Sequence, residues 1–278
     1  MNTMQKLSFF VFTLLLWLSA CRNQELDMTV LEKSLFETAT FTEIVAEDVW
    51  NVTVVQDDHR TGVELEYSAF LDDYLQVVSN GNQLVIRFTQ RLNLPSNTVK
   101  NATVYVATLE NLELKEASTM TLQGTFAGPR FTIRIQEAAT LRGGRFLGDI
   151  DLNADDASTI VDFTAEGATC TLGLNASVFK GSLTATDQLA ITAEAASRVT
   201  TYGGMSPRAD VVSGAASFIN MVQTPVTAMN LQVREASEAS VNVTNRLDGL
   251  AHEASKVFYQ GNPIINMDID NSSFIYPL

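Results

Sequence analysis

Two pairs of neighbouring carboxylates are the residues of this sequence whose types could carry hydrolytic chemistry. Glycoside hydrolysis needs two carboxyl groups that face one sugar, and the pairs are Asp57-Asp58 and Asp155-Asp156. Asp is common in turns because its side chain bonds nearby backbone N–H groups, and the first pair falls between two strand-like runs. The second pair falls at a recurrent corner where other repeats carry Glu, Asn or Gly. We interpret both pairs as solvated turn or corner residues.

The two histidines of the chain, His59 and His252, are the remaining candidates for acid–base catalysis. A Ser-His-Asp site would place one of them beside a nucleophile. His59 directly follows the first Asp pair, and His252 stands just before a corner, in a slot that other repeats fill with charged residues. The sequence therefore predicts no catalytic residues, and the chain is interpreted as a protein that is not an enzyme.

Acidic and amide side chains recur two positions before the serine of the corner. Stacked carboxylates could bind calcium, which takes several oxygen ligands. Ala138, Ala195 and Gly214 interrupt the column, so the sequence predicts no metal site and no cofactor, with a calcium ladder as an alternative. The column consists of Glu116, Asp156, Asn175, Glu235, Glu253 and Asn271.

Arg142 is the exception to the repeat pattern. It falls in a slot that is apolar in the other repeats, and Arg142-Gly-Gly-Arg145 is locally basic on an acidic protein. A β-bulge after Thr140 would shift the register of this repeat, whereas an anion-binding spot would use the charge. We favour the bulge and keep the binding spot as the alternative.

A small-residue pair, usually Ala-Ser, recurs about every 19 residues through the last three-fifths of the chain. A fixed period of this length indicates stacked structural repeats. The second small residues of the pairs are Ser118, Thr140, Ser158, Ser177, Ser197, Ser217, Ser237, Ser255 and Ser273.

The residue two positions after each of these small residues is apolar in every repeat except the one with Arg142. Successive side chains of a strand point to opposite faces, so the small residue and its +2 neighbour share a face, and that face must be the interior. Most pairs also follow a second alternating run, such as Leu189/Ile191 or Leu231/Val233. Each repeat thus contains two short strands joined by a corner of small residues.

We therefore predict an all-β fold, a single-stranded right-handed parallel β-helix with an irregular N-terminal β cap. Coils stack about 4.8 Å apart, so a bulky residue at the corner would force neighbouring coils apart, and an inward Ser can hydrogen-bond the next coil. Leucine-rich repeats are excluded because their Leu-x-x-Leu-x-Leu pattern with Asn is absent. An immunoglobulin-like sandwich would not explain a small residue at constant phase.

The N-terminal half of the folded part has strands without the Ala-Ser corner. Strand-like runs cover residues 41–45, 49–55, 63–67, 75–78 and 84–88, and the Asn80-Gly81 pair between the last two signals a hairpin. We predict one domain over residues 37–278. Residues 37–110 are expected to form the cap and first coils, and residues 111–278 the Ala-Ser coils. A cap is expected because an open coil end exposes core and strand edges.

The N-terminus resembles a bacterial lipoprotein signal peptide. Lys6 precedes an apolar run at residues 7–18, too short to span a membrane, and Leu18-Ser-Ala-Cys21 follows as a lipobox. This predicts a signal peptide at residues 1–20, lipid attachment at Cys21 and an acidic tether at residues 21–36. The mature protein would be anchored by lipid in the outer membrane.

The net charge limits the classes of ligand, and the position of the second cysteine bears on burial and on disulfide formation. The formal net charge of −14 disfavours nucleic acid and anionic lipid surfaces as ligands. Cys170 shares a strand face with Leu172 and Leu174, so we expect Cys170 to be buried in the core as a small hydrophobic residue. With Cys21 acylated, an intramolecular disulfide is excluded.

Three sequence features together resemble the bacterial lipoprotein family described as "putative auto-transporter adhesin, head GIN domain". They are the segment FTEIVAEDVWNVTVVQ at residues 41–56, the hairpin NGNQLVI at residues 80–86 and the recurrent Gly/Glu-Ala-Ser followed by x-apolar. The resemblance covers nearly the whole mature chain. It implies a parallel β-helix and an adhesive role, and it brings no catalytic residues. Ala or Glu often replaces the Gly of the family's Gly-Ala-Ser, so a Gly-specific corner geometry is not expected.

The sequence thus predicts a lipid-anchored cell-envelope protein, an adhesin-like scaffold that binds a glycan or protein of the envelope or host. A β-helix carbohydrate-active enzyme, either a polysaccharide lyase or a glycosidase, is one alternative. A purely structural or signalling envelope module is the other. The feature that would discriminate among these three functions is a cluster of acidic, basic and aromatic residues on one outward face of the β-helix.

Overall fold

The structure is a computed structural model that describes residues 26–36 and 40–278. Strands dominate this part of the chain, with a short 3₁₀ helix at Ala69–Tyr74. The strands are β1 Val30–Leu35, β2 Glu43–Ala46, β3 Asn51–Gln56, β4 Gly62–Ser68, β5 Leu75–Asn80, β6 Gln83–Phe88, β7 Lys100–Val106, β8 Asn111–Leu114, β9 Thr119–Ile135, β10 Thr140–Ala154, β11 Thr159–Asn175, β12 Val178–Glu194, β13 Arg198–Thr201, β14 Ser206–Ser213, β15 Phe218–Val233, β16 Glu238–Ala251, β17 Lys256–Gln260, β18 Ile264–Ile269 and β19 Phe274–Pro277.

Parallel ladders between successive repeats build a β-helix of about 8 turns. β9, β10, β11 and β12 pair in sequence order, so that Leu152 of β10 lies between Ile133 of β9 and Leu172 of β11. Parallel strands of one sheet need a crossover between them, and here the crossover is the rest of the coil. The predicted parallel β-helix is confirmed.

The interior is a continuous apolar column. The residues two positions after the corner serines are fully buried in most coils, as for Met120, Ile160, Val199 and Ile219. Aromatic rings stack along the axis: the ring centroids of Phe126 and Phe146 are 5.4 Å apart, and those of Phe146 and Phe163 are 5.1 Å apart. Offset ring contacts of this kind stabilise a core beyond the area that they bury.

The phase predicted for the repeat around Thr140 is wrong by one residue. Ala139 is fully buried at the place of the corner serines, and Leu141 pairs with both Met120 and Ile160 in the interior. Arg142 therefore points outward and is exposed. The sequence Glu-Ala-Ala-Thr contains two small residues after the Glu, and the first of the two fits the interior better because Leu141, rather than Arg142, then enters the core.

The N-terminal end is closed by strands in a non-sequential order. β2 lies between β6 and β8, and β3 lies between β7 and β9, all in parallel pairing. β4 pairs antiparallel with β7, and β1 pairs antiparallel with β4. β5 and β6 form the antiparallel hairpin that Asn80-Gly81 predicted, with Gly81 at φ 61°. These antiparallel strands form the expected cap.

The boundary predicted between tether and folded domain lies too far along the chain. Residues Val30–Leu35, assigned to the tether, form β1 and pair with all of Val63–Ser68. The signal peptide at residues 1–20 and the lipid-attachment residue Cys21 lie outside the described residues and stay predictions. Within residues 26–36 and 40–278, no helix is long and apolar enough to cross a membrane.

Candidate functional site

The recurrent corner is a tight turn with both central residues in the left-handed region. In the coil of Lys115, Glu116 and Ala117 have φ of 52° and 56°, and the Lys115 carbonyl accepts a hydrogen bond from the Ser118 N–H at 3.1 Å. Two positive φ angles inside such a bond define a type I′ turn. The same pair of positive φ angles recurs at Glu137/Ala138, Asp156/Ala157, Ala195/Ala196, Ala215/Ala216, Glu235/Ala236 and Glu253/Ala254.

Sequence reasoning missed this turn type. Type I′ turns favour Asn and Gly at the central positions, and the corners carry Glu-Ala or Ala-Ala instead. The geometry holds because the stacked corners bond to one another: the Ala117 N–H donates to the Glu137 carbonyl at 2.8 Å, and the Ala216 N–H donates to the Glu235 carbonyl at 2.9 Å. The corner thus has the left-handed geometry that favours glycine, contrary to the expectation from the sequence, although Glu, Asp and Ala occupy it.

The first coil has a corner of the same kind that the sequence pattern did not reveal. Asp48 and Val49 both have φ of 60°, and Trp50 takes the inward position that later coils give to Ser. Trp50 is fully buried and lies 5.3 Å from Phe88, ring centroid to centroid.

A cavity of about 350 Å³ opens beside the first two corners. The side chains of Asp48 and Glu116 share a hydrogen bond there, which together with burial and the like charge raises the pKa of Glu116. The guanidinium of Arg91 lies 3.4 Å from Glu116. Leu92 and Leu94 complete the wall. The mixed charges are partly paired with one another, so this cavity is a weaker candidate for ligand binding.

The acidic column differs from its predicted membership. Because Ala139 takes the place of the corner serine, the residue two positions before it is Glu137, which joins the column instead of Ala138. Ala195 and Ala215 interrupt the column, and Gly214 does not belong to it. No three His, Cys, Asp or Glu side chains are grouped so that they could hold a metal ion in the part of the chain that the structure describes. The calcium-ladder alternative thus has no ligand cluster there.

The Asp57-Asp58 pair is a local turn, as the sequence indicated. The Asp57 carboxylate accepts hydrogen bonds from the N–H groups of His59 at 2.8 Å and Arg60 at 3.1 Å. Asp58 accepts from the Gln56 side chain at 2.7 Å. These carboxylates stabilise the backbone of the β3–β4 connection, and they do not converge on a shared space.

The other candidates are also separate from one another. Asp156 is an exposed corner residue with φ of 55°, and the Asp155 carbonyl accepts from the Ser158 hydroxyl at 2.6 Å. His252 contacts Asp268 at 2.9 Å near the C-terminal end, while His59 lies in the β3–β4 turn beside the cap. The bond between Asp57 and His59 uses the backbone N–H of His59 rather than its ring, and His252 lies at the other end of the β-helix from both His59 and Asp57.

The surroundings of Arg142 and Cys170 are explained by the structure of the β-helix. A register shift follows Arg142, at Gly143 and Gly144, which have φ of 70° and 87°. The bulge expected directly after Thr140 is not found there, because residues 140–142 pair in register with residues 119–121, and the register first shifts between Gly143 and Arg145. Cys170 is buried, and burial raises the pKa of its thiol to about 11.

An uncharged groove of about 470 Å³ crosses four coils on one flank of the β-helix. Its apolar part comes from Met205, Pro207 and Pro225, and Met205 is 60% exposed. No charged side chain of the described residues lines it, although the chain carries a net charge of −14. Hydroxyl groups border it from Thr184, Thr186, Thr227 and Thr244.

Two departures from the regular coil build this groove. The loop between β13 and β14 carries Met205, and three extra residues, 222–224, bulge from β15 relative to β16. A buried contact joins the two: the hydroxyl oxygens of Thr201 and Thr224 lie 2.6 Å apart, and the Thr224 hydroxyl donates to the Gly203 carbonyl at 2.9 Å. Glycine is required at 204, since φ is +99° and a Cβ would lie 1.9 Å from the Leu183 carbonyl oxygen.

The described residues that line the groove offer apolar and hydroxyl groups, with no charged or imidazole side chain among them. Proline rings and the Met205 thioether offer apolar contact, and threonine hydroxyls both donate and accept hydrogen bonds. Concave sites with an apolar floor and a few polar groups are typical of ligand binding. Sequence reasoning missed this site. Its signal was the departure from the repeat at Tyr202-Gly-Gly-Met205 and at residues 222–224.

The chain matches the model of one protein family. A family model described as "Putative auto-transporter adhesin, head GIN domain" matches residues 40–263. No curated protein matches the sequence.

Several solved structures share this fold. A putative adhesin from Parabacteroides distasonis ATCC 8503 is 15% identical with a TM-score of 0.68, and covers 91% of this chain and 98% of its own. A putative adhesin from Parabacteroides merdae ATCC 43184 is 12% identical with a TM-score of 0.68, over 90% and 96%. A putative lipid binding protein from P. distasonis is 17% identical with a TM-score of 0.65, over 91% and 98%. At these identities the likeness shows the fold alone.

Proposed function

Because this chain belongs to the family described as "Putative auto-transporter adhesin, head GIN domain", we propose that it is a non-enzymatic binding scaffold of the cell envelope. The scaffold is the β-helix, and its ligand is a glycan or protein of the envelope or of the host. Adhesin-like family membership supports both the binding role and the envelope location.

The flank groove is the observation that carries this proposal. It is free of charged lining residues on a strongly acidic chain, so it favours an uncharged segment of glycan or protein over a polyanion, which the overall charge would repel. Four coils contribute to it, so it extends over roughly 14 Å at the usual strand spacing. Its shape is set by backbone bonds and by the buried Thr201–Thr224 contact, which reduces the ordering cost of binding.

A lipid on Cys21 is the proposed attachment to the outer membrane. The support is the lipobox Leu18-Ser-Ala-Cys21 after an apolar run of signal-peptide length. With a lipid at residue 21 and the first strand beginning at Val30, the intervening segment would be a short tether, and the β-helix would lie close to the membrane surface.

The groove and the enzyme alternative are tested together with matched variants. Arrays of neutral and acidic glycans and of envelope proteins are probed with the wild type, with Met205→Glu and with Leu147→Glu. Leu147 is also an exposed apolar residue, at 37%, and lies outside the groove. We expect binding that Met205→Glu abolishes and Leu147→Glu keeps.

The same samples are assayed for reducing sugar and lyase products. Product release that disappears in Asp156→Asn would replace the binding proposal by the carbohydrate-active enzyme. If neither binding nor turnover is found, the structural or signalling module is the remaining function. Binding that both glutamate variants keep would move the site away from the groove.

A further inference from the structure

The C-terminal end of the β-helix exposes residues that are buried in every coil before it. Ile265 and Ile269 of β18 pair with Leu247 and Ala251 of β16 and share their inward phase. Leu247 and Ala251 are 0% exposed, whereas Ile265 is 39% and Ile269 is 37% exposed. Within the described residues the coil of β16 is covered by the coil of β18, and no further coil covers the coil of β18.

The backbone of the last coil is open on the same side. β18 pairs with β16, and β19 pairs with β17, and in residues 26–36 and 40–278 neither has a partner on its outer edge. Unpaired edges of this kind are templates for another strand. Pro277 has no N–H to offer, so β18 supplies the better edge of the two.

The composition of this coil matches an interface rather than a solvated surface. Between residues 256 and 278 the charged side chains are Lys256, Asp268 and Asp270, on a chain of net charge −14. The ring of Tyr276 lies 6.0 Å from both Phe258 and Phe274. Interface cores are depleted in charge and enriched in aromatic residues.

The two ends of the β-helix differ, which limits how a second copy could bind. The antiparallel strands β1, β4 and β5 close the core at the N-terminal end, although β1 and β5 each pair on one edge only in the described residues. The open apolar end of one copy therefore matches the open apolar end of another copy better than it matches the cap. Such a contact uses the same surface twice and closes as a two-fold dimer.

We propose that two copies of this chain dimerise end to end through the coil of β18 and β19. A two-fold axis places the two β18 strands antiparallel, which satisfies their free backbone groups and extends one apolar core through both copies. The last coil is also where two acidic chains repel each other least, because most of the charge lies on earlier coils.

The exposed apolar area is of the size that such a contact requires. At about 150–250 Å² for a fully exposed aromatic side chain and somewhat less for an aliphatic one, the end coil offers roughly 500 Å² per copy. The open backbone edges add to this, toward the roughly 800 Å² per partner of a stable interface. The side chains are Ile264, Ile265, Ile269, Phe274, Tyr276 and Leu278, between 37% and 71% exposed.

Sedimentation equilibrium of the full chain in mild detergent tests the proposal. We expect the mass of two copies for the wild type. Ile269→Lys should raise the dimer dissociation constant at least about tenfold, because an ammonium group would be desolvated without a partner. Leu147→Lys is the matched control, since both side chains are 37% exposed, and it should leave the constant unchanged.

Two further variants keep the test decisive if Ile269→Lys disturbs folding. Tyr276 is 46% exposed beside the end face, and Tyr276→Lys should weaken the dimer while the circular dichroism spectrum stays that of the wild type. Asn266→Cys should form a disulfide-linked dimer on oxidation. Asn230→Cys, in the same outward column two coils earlier, should not.

A monomeric wild type at the highest soluble concentration would overturn the proposal. So would assemblies larger than two, which require a head-to-tail contact, or a dimer that Ile269→Lys and Tyr276→Lys leave intact. A monomer that instead binds lipid vesicles through this coil would replace the second copy by a membrane surface.

Discussion

The backbone N–H of Ser197 donates a hydrogen bond to the hydroxyl oxygen of Ser217 in the next coil, at 3.1 Å. Ser177 makes the same bond to Ser197, and Ser217 makes it to Ser237. The Ser197 hydroxyl in turn donates to the Glu194 carbonyl at 2.5 Å. The Ser197 hydroxyl thus serves two buried backbone groups, one in its own coil and one in the preceding coil, which gives a reason for Ser to recur where Ala would also fit.

This ladder predicts a cost for removing one hydroxyl. Ser197→Ala should lower the free energy of unfolding by about 1–2 kcal/mol, since two buried backbone groups lose a partner. Ser197→Leu should cost a further 1–3 kcal/mol or so through overpacking of the corner. Denaturant titration measures both. Ala139→Ser is the reverse change and should be neutral or stabilising, because it supplies a second acceptor to the Ser118 N–H, which already donates to the Lys115 carbonyl.

The left-handed corners predict that glycine stabilises where it normally destabilises. Ala216 has φ of 60°, a conformation that costs a residue with a Cβ about 1–2 kcal/mol. Ala216→Gly should raise the melting temperature, despite the greater freedom of Gly in the unfolded chain. Ala228, in the extended strand β15, is the control, and Ala228→Gly should lower stability by about 0.5–1 kcal/mol. Equal signs for the two changes would contradict the turn assignment.

The corrected register predicts opposite effects for adjacent residues. Leu141→Ala should destabilise by about 2–5 kcal/mol, because Leu141 is fully buried in the core. Arg142→Ala should change stability by no more than about 0.5 kcal/mol, because its side chain is exposed. A large loss at Arg142 and a small one at Leu141 would restore the phase that the sequence pattern indicated.

Burial of Cys170 predicts a loss of stability at high pH. Its pKa is raised by burial to about 11 from the usual 9.0 of a free thiol, so the folded state keeps the thiol proton where the unfolded state releases it. The contribution is complete below pH 9 and is lost as the pH rises toward 11. Cys170→Ala should flatten the alkaline part of the stability curve.

Thiol labelling gives a second measurement of the same burial. In a Cys21→Ser background the thiol reagent should react with Cys170 at pH 8 only after denaturant is added, since the reactive species is the exposed thiolate. Rapid labelling of the native protein would show that the coil around Cys170 opens readily or is packed differently.

The lipobox predicts acylation at one residue. Radiolabelled palmitate should enter the wild type and be absent from Cys21→Ala, and the wild type should fractionate with membranes. Cys170→Ala should label like the wild type, because Cys170 is buried. Equal labelling of wild type and Cys21→Ala would reject the lipoprotein assignment.

The sequence by itself determined the architecture of the repeated part. Identical coils stack at one spacing, so the same phase of every repeat meets the same environment, and the Ser217/Ile219 pattern reports an inward face without any knowledge of neighbours. The strand runs and the Asn80-Gly81 hairpin are equally local, and their alternation and turn chemistry sufficed.

Tertiary structure decided the features that depend on which segments meet. The insertion of β2 and β3 between β6–β7 and β8–β9 is a choice among strand partners that alternation cannot make. The phase at Ala139 follows from the neighbouring coils, since Glu-Ala-Ala-Thr fits two frames. The uncharged groove exists because the Met205 loop and the bulge at Thr224 lie side by side only after stacking. The open end at Ile269 appears only when burial is compared between coils, because an inward residue is buried by the coil above it and not by its own sequence.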